Sequence, residues 1–400
     1  MKLTLLFFLS LTPIVLFAQE DINGFTSYWD KGYHLDSNDG NFKLKFGGRI
    51  QYDEAFFFQD ADNEDAFGKI ENASELRRVR FVNQGTIYKF LSYKLEFDFA
   101  KGSANVTDAF ITISKLPVIG NVRIGHQKEP FSLDKMNSSN DMTFMERAAV
   151  TDFKKQRNSG LLIFNTALEK RATWAVGVYH NSDVSGKSLP GDRYNITGRF
   201  TALPFYKNEE NKLLHLGLAY SNRNPSGRIY NAKSKPDSHL APVYVDTKTI
   251  ENVTNNHTLG TELALVWESF ALQGEYIASG LKDEVNSYNF NGYYGEASYF
   301  LTGEHKNYST KDGWFKRVSP KKNFNPIGEN KGWGAFEAAV RYSSLDLNDE
   351  SIYGGELSNI TAALNWYLNP ATRFSVNYVH AMVDAIGDTD IVQFRFQVAF

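Results

Sequence analysis

The chain has 400 residues, a formal charge of −3, 14% aromatic residues and no cysteine. The lack of cysteine excludes a disulfide framework and a thiolate metal site. The near-neutral charge excludes a global basic field for nucleic acid, so any preference for anions must come from where the bases sit.

The 31 Phe and 21 Tyr sit in a chain that is polar on average. That combination suits strands with one apolar and one polar face, not a helical membrane protein. At the N-terminus, Lys2, the apolar stretch from Leu3 to Phe17 and Leu16-Phe17-Ala18 before Gln19 read as a secretory signal over 1–18. The apolar stretch is short for an uncleaved anchor. Residues 19–40 are expected to be a short periplasmic segment and 41–400 an outer-membrane barrel. After Ala18 no apolar run is long enough for a spanning helix. A membrane fate must then come from strands.

Period-two alternation recurs along the chain. Leu44, Phe46, Ile50 and Tyr52 are interleaved with Lys43, Lys45, Arg49, Gln51 and Asp53. Tyr93, Leu95, Phe97 and Phe99 alternate with Lys94, Glu96 and Asp98. Leu214, Leu216, Leu218 and Tyr220 alternate with His215, Gly217, Ala219 and Ser221. Leu259, Leu263, Leu265 and Trp267 share a face with Thr261, and Phe394, Phe396, Val398 and Phe400 oppose Gln393, Arg395 and Gln397. A strand sends successive side chains to opposite faces. In a soluble sandwich the apolar face packs inward; in a transmembrane barrel it meets lipid and the polar face lines a wet lumen.

Three features favour the barrel. The polar faces carry full charges and large amides, aromatics sit near strand ends, and strands run to about ten residues or more, the span of a tilted membrane strand. Segments begin near Asn41, Glu75, Ser92, Asn105, Gly120, Asn158, Arg171, Arg193, Lys212, His257, Phe270, Ser287, Gly332, Glu356, Ala371 and Thr389. The expected fold is an all-β, transmembrane, antiparallel up-and-down barrel of about sixteen strands, an even number that returns the chain to its starting side. Leu91-Ser92, Glu169-Lys170, Glu268-Ser269 and Asn369-Pro370 read as tight turns. Asp60 to Ser74, Glu129 to Arg157, Asn181 to Asp192 and Pro225 to Asn256 read as long outer links. The stretch from Gly303 to Lys331 is long yet falls on the short-turn side.

Five stretches, in this order, resemble the phosphate-selective porin family of the O and P type. They are Phe46-Gly47-Gly48-Arg49-Ile50-Gln51, Leu76-Arg77-Arg78-Val79-Arg80-Phe81, and Arg123-Ile124-Gly125-His126-Gln127-Lys128-Glu129-Pro130-Phe131. Tyr299-Phe300-Leu301-Thr302-Gly303-Glu304, running on to Phe315-Lys316-Arg317-Val318-Ser319-Pro320, and Gly332-Trp333-Gly334-Ala335-Phe336-Glu337 before Arg341-Tyr342 complete the set. The resemblance implies a sixteen-stranded homotrimeric pore with a ladder of Arg and Lys, narrowed by inward-folded loops, one of them from the periplasmic side. Gly303–Lys331 would then be a plug. Phe400 resembles the terminal aromatic read by the outer-membrane assembly machinery. The surroundings implied are a lipid bilayer with lipopolysaccharide at the Gram-negative cell surface.

An anion in a narrow pore sheds water, and Arg and Lys replace that hydration with charge-assisted hydrogen bonds. Val79, Phe81 and Ile87 set a lipid face, so Arg78 and Arg80 point inward with Gln84 and Tyr88. Arg77 falls on the other parity, where it would snorkel to the interface. The same parity puts Lys43, Lys45, Arg49, Arg123, Arg193, Arg199, Arg341 and Arg395 inside. A constriction loop from Glu129 to Arg157 adds Lys128, Lys135, Arg147 and Lys154. The plug adds Lys316, Arg317, Lys321 and Lys322. The anion-binding candidates are Arg49, Arg78, Arg80, Arg123, Lys128, Arg147, Arg199, Arg317 and Arg341. Glu96, Asp98, Asp108, Glu262 and Glu337 also read as inward, so the lumen is mixed.

No H-E-x-x-H, G-x-G-x-x-G or G-x-S-x-G pattern occurs. No catalytic residue, cofactor or metal ligand is therefore assigned. Asp60-Ala61-Asp62-Asn63-Glu64-Asp65 invites a calcium reading but lacks the glycine and closing Glu of an EF-hand loop. The function expected is passive diffusion of small anions, phosphate above all. A general or differently selective porin and, from other classes, a secreted β-sandwich binding protein or a barrel enzyme remain alternatives.

Overall fold

The computed structural model describes residues 24–100, 102–153, 157–191, 193–327, 331–349 and 351–400. Residues 1–18, expected to be a signal sequence, and Lys154 lie outside the described residues. Alternation in sequence becomes sixteen antiparallel barrel strands: β1 (Phe42–Gln59), β2 (Ala73–Ile87), β3 (Leu91–Asp98), β4 (Asn105–Leu116), β5 (Gly120–Lys128), β6 (Arg157–Ala167), β7 (Ala172–His180) and β8 (Asn195–Lys207). They continue with β9 (Lys212–Arg223), β10 (Asn255–Trp267), β11 (Phe270–Lys282), β12 (Ser287–Phe300), β13 (Ala335–Asp349), β14 (Ile352–Tyr367), β15 (Thr372–Val383) and β16 (Gly387–Ala399). Each pairs with the next, and β16 returns to β1 in a ladder from Thr389↔Gln59 to Ala399↔Arg49. Every strand starts within four residues of its expected position.

The wall is apolar outside and polar inside. Leu216, Leu218 and Tyr220 are exposed while His215, Ala219 and Ser221 are buried. Phe394, Phe396 and Phe400 are exposed while Gln393, Arg395 and Gln397 are buried. A large exposed apolar face on a closed strand wall is the arrangement lipid requires, because the ring leaves no unpaired backbone edge in hydrocarbon.

Three parity expectations are corrected. The β1–β2 ladder slips between Gln51↔Arg78 and Tyr52↔Leu76. This bulge turns Arg77 inward beside Arg78 instead of out to the interface. Arg193 precedes β8 and is exposed, so it is not a lumen residue. Tyr88 likewise leaves the lumen: it lies in the β2–β3 turn at φ 49°, well exposed.

Within the 19–40 segment, Phe25–Trp29 and Tyr33–Ser37 form a hairpin whose second strand pairs with β1 over Lys43–Phe46. It lies beside the C-terminus, where Gly48 and Phe400 exchange backbone hydrogen bonds of 2.7 and 3.0 Å. Short turns such as 88–90, 117–119 and 268–269 share this end of the barrel, which is the periplasmic end by the usual rule. At the other end the 60–72, 129–156, 181–194 and 224–254 links are long, but 283–286 and 384–386 are short.

Three long connections fold into the lumen. Val150 and Phe153 from the 129–156 loop, with Tyr244 and Val245 from the 224–254 loop, bury themselves against Ile277, Phe290, Leu345, Val379 and Ile391 of the wall. From the periplasmic end, the 301–334 loop inserts a small hairpin, Asn307–Ser309 and Trp314–Lys316. Its Tyr308 hydroxyl hydrogen bonds to His215 Nδ1 at 2.7 Å, and Phe315 N donates to Asn137 Oδ1 of the 129–156 loop at 3.0 Å. These loops fill the side of the barrel formed by β9–β16 and leave space along β1–β6.

Arg in place of Leu218, at the middle of β9's lipid face, should destabilise the barrel by about 2–4 kcal/mol. The measurement is urea-dependent folding into lipid vesicles; an unchanged midpoint would mean that this face does not meet hydrocarbon.

Candidate functional site

The space left by the loops is an off-axis cavity of about 980 Å³. It is bounded by Tyr28, His34 and Asp36 of the N-terminal hairpin and, from the outer loops, by Lys235 and His239. The strands β1–β6 line it with Lys43, Lys45, Arg49, Arg77, Arg78, Arg80, Lys94, Arg123, Lys128 and Arg157. The 129–156 loop adds Lys135 and Arg147, and the other two inserted loops add Lys235 and Lys316. Facing these fourteen bases are eight carboxylates: Asp36, Glu96, Asp108, Asp141, Glu146, Asp152, Asp237 and Asp312. Among the described residues, a chain of net charge −3 thus encloses a cavity with a surplus of positive charge.

Six of the nine candidates line this cavity: Arg49, Arg78, Arg80, Arg123, Lys128 and Arg147. Their local chemistry differs. Arg80 donates to Glu96 at 2.8 Å and Asp98 at 2.7 Å, and Arg49 reaches Ser139 Oγ at 2.6 Å and Glu96 at 3.4 Å. Lys94 and Arg157 extend the network onto Asp108 at 2.6 and 2.7 Å. Arg123 stands apart. Its guanidinium lies between the rings of Phe110 and Phe164, 4.2 and 4.9 Å from their centroids, with a hydrogen bond of 3.0 Å to Thr112. Cation–π contact holds it without consuming its charge. Lys128 spends its three protons on the carbonyls of Lys135, Met136 and Asn137, which anchors the base of the loop and leaves only its field for an ion. Arg147 similarly donates to the carbonyls of Asp134 and Asn137 at 2.9 Å.

Arg199, Arg317 and Arg341 lie inside the barrel but do not line this cavity. Arg199 forms a fork with Glu262 at 2.8 and 2.7 Å and also caps Gly313 O of the plug. Arg341 pairs with Asp237 of the 224–254 loop at 2.7 Å, over the Phe144 ring. Arg317 donates to the carbonyls of Pro370 and Ala399 at 3.2 and 3.1 Å. These groups latch loops to the wall. Lys321 and Lys322 are exposed and also miss the cavity. Sequence parity did not find Arg77, which the bulge redirects, nor Glu146 and Asp237, whose loops carry no periodicity.

The acidic run at Asp60 has a structural explanation. Residues Ala61–Phe67 are a short helix; the Asp60 carboxylate caps it by accepting from Asn63 N at 2.7 Å and also accepts from Asp388 N at 2.7 Å.

The loop charges respond to burial. Lys135 is pushed down to about 8 by burial, against the opposing pull of Asp152. Burial raises the Asp152 carboxyl. For Glu146 burial opposes ionisation, but Arg77, Arg78 and Arg395 together outweigh it and hold the carboxyl well below its usual range.

The family described as phosphate-selective porin O and P matches residues 44–400. This chain belongs to that family. Porin O of Pseudomonas aeruginosa is 26% identical over 90% of this chain and 88% of its own length. A protein of Caulobacter vibrioides is 28% identical over 91% of this chain and 72% of its own. Among solved structures, the anion-selective porin from Comamonas acidovorans superposes with a TM-score of 0.55 over 90% of this chain and all of that one, at 13% identity, so the likeness is one of fold. The porin is a channel of the Gram-negative outer membrane.

Because Lys135 loses its proton near 8, raising the pH from 7 to 9 should lower anion preference in a planar bilayer, and Lys135→Met should abolish that step. A pH profile that is the same in both proteins would remove Lys135 from the conduction path.

Proposed function

We propose that this porin passes small anions by passive diffusion, with phosphate the favoured solute. The observation that carries the reading is the fourteen bases set against eight carboxylates along one cavity of an otherwise acidic chain. Family membership and the Porin O relative support it. Phosphate oxygens accept parallel N–H bonds from Arg forks, which repay lost hydration. Six candidates carry the passage: Arg49, Arg78, Arg80, Arg123, Lys128 and Arg147, joined by Arg77 and Arg157. Distribution over several sites, each partly neutralised by a neighbour such as Glu96 or Asp108, keeps the ion mobile. That neutralisation also favours a second reading, a general anion porin with little phosphate preference.

Further parts of this reading concern assembly. The working form is a homotrimer in a bilayer with lipopolysaccharide outside, and the exposed ring of Phe400 is the end presented to the assembly machinery. Chemical cross-linking in native membranes should capture trimers that survive heating in detergent, whereas the uncross-linked protein should run as a monomer once heated.

In a planar bilayer under a chloride gradient, the reversal potential should favour anions, and phosphate should block chloride current. Arg78→Glu with Arg80→Glu should reduce or reverse the anion preference. Anion selectivity without phosphate block would leave the general porin; cation selectivity of the wild type would overturn both readings.

A further inference from the structure

Three arginines converge on one point of the cavity wall, and a carboxylate from the protein already fills it. Glu146, on the 129–156 loop, accepts a two-pronged contact from Arg77, Nε to Oε1 at 2.8 Å and Nη2 to Oε2 at 2.9 Å. Arg395 Nη2 adds 2.8 Å to Oε1, and Arg78 Nη2 lies 3.5 Å from Oε2. The contact geometry is that of an oxyanion in an arginine cradle. The wall gives up regular pairing to build it, since the bulge opposite Gln51 and Tyr52 is what brings Arg77 and Arg78 inward together.

The loop does not need this side chain to stay in place. Its backbone is held by Arg373 to Met142 O at 2.6 Å, Asn365 to Thr143 O at 2.8 Å, Arg395 to Met145 O at 2.5 Å and Arg341 to Glu146 O at 3.0 Å. The carboxylate is therefore presented to the cradle by a fixed backbone, with Arg77, Arg78 and Glu146 all bordering the open cavity.

We propose that Glu146 is a tethered counter-ion: it occupies an oxyanion seat formed by Arg77, Arg78 and Arg395, and a passing phosphate takes that seat by exchange with it. This rests on the anion-porin reading and assigns it a control element. The tethered carboxylate competes with the solute at every encounter, so it lowers occupancy and speeds release. Exchange favours ions that accept two parallel N–H bonds over a spherical halide. No bond to a heavy atom forms or breaks; one set of hydrogen bonds replaces another.

The test is block of chloride current by inorganic phosphate in planar bilayers, in wild type, Glu146→Gln and Glu146→Asp. Glu146→Gln keeps the shape and removes the competing charge, so the half-blocking phosphate concentration should fall by about tenfold or more, as expected when one charge at contact distance is lost. Glu146→Asp keeps the charge and should stay near wild type. An unchanged or weaker block in Glu146→Gln overturns the proposal, and so does equal tightening in both variants, which would mark simple loop displacement. If wild type ignores phosphate while Glu146→Gln responds, the counter-ion stands and the phosphate preference falls. If both ignore it, both fall.

Discussion

The return of β16 to β1 is the interaction on which the rest depends. Its eleven paired positions, Thr389↔Gln59 to Ala399↔Arg49, turn a sheet with two open edges into a ring. In hydrocarbon an unpaired N–H or C=O has no partner, so closure lets the apolar face meet lipid. Closure also creates a protected interior in which Arg395 and Asp53, from the two joined strands, form a fork at 2.6 Å far from bulk water. The polar face of each strand becomes a lumen only because the ring is complete.

The ring is symmetric in plan, and its filling is not. Apolar residues of the 129–156 and 224–254 loops seal against inward-facing Ile, Leu, Val and Phe of the later strands. Polar contacts then fix the three inserted loops: Arg341 pairs with Asp237 of the 224–254 loop, Lys306 of the 301–334 loop pairs with Glu337 at 3.0 Å, and Glu275 accepts hydrogen bonds from the backbone N–H groups of Leu133 and Asp134 of the 129–156 loop at 3.0 and 2.8 Å. Buried pairs of this kind add little net stability, but losing one partner is costly, so they define where a loop sits. The solute is left with one side of the lumen, lined by Arg and Lys from β1 to β6.

The barrel was legible because two-residue periodicity reports directly which face meets oil. The strand count, the even return and the odd position of the 301–334 segment all follow from it. The period fails at a bulge, which is why Arg77 was placed on the wrong face. It is silent on what a side chain meets across the lumen: Arg199 and Glu262 are 63 residues apart, and Arg341 finds Asp237 over 104. Parity could say that these arginines point inward, but not that a carboxylate would hold them. Nor does a loop sequence show whether it stands out in solvent or folds back, so Glu146 could not be distinguished from any acidic loop residue. The Asp60–Asp65 run shows the converse: a cluster suggestive of a metal is a capped helix start.

The small hairpin at the N-terminal end has a bearing on how the ring acquires its alignment. Tyr33–Asp36 pair along the edge of β1 at Lys43–Phe46, immediately below the point where Phe400 meets Gly48. The closing strand therefore abuts an occupied edge, like a zip reaching its end-stop, and cannot slide further along β1. A slip of one residue would exchange the two faces of β16, sending Arg395 toward the acyl chains and Phe394 and Phe396 into the water. A few residues outside the wall thus act as a ruler for the wall's last seam.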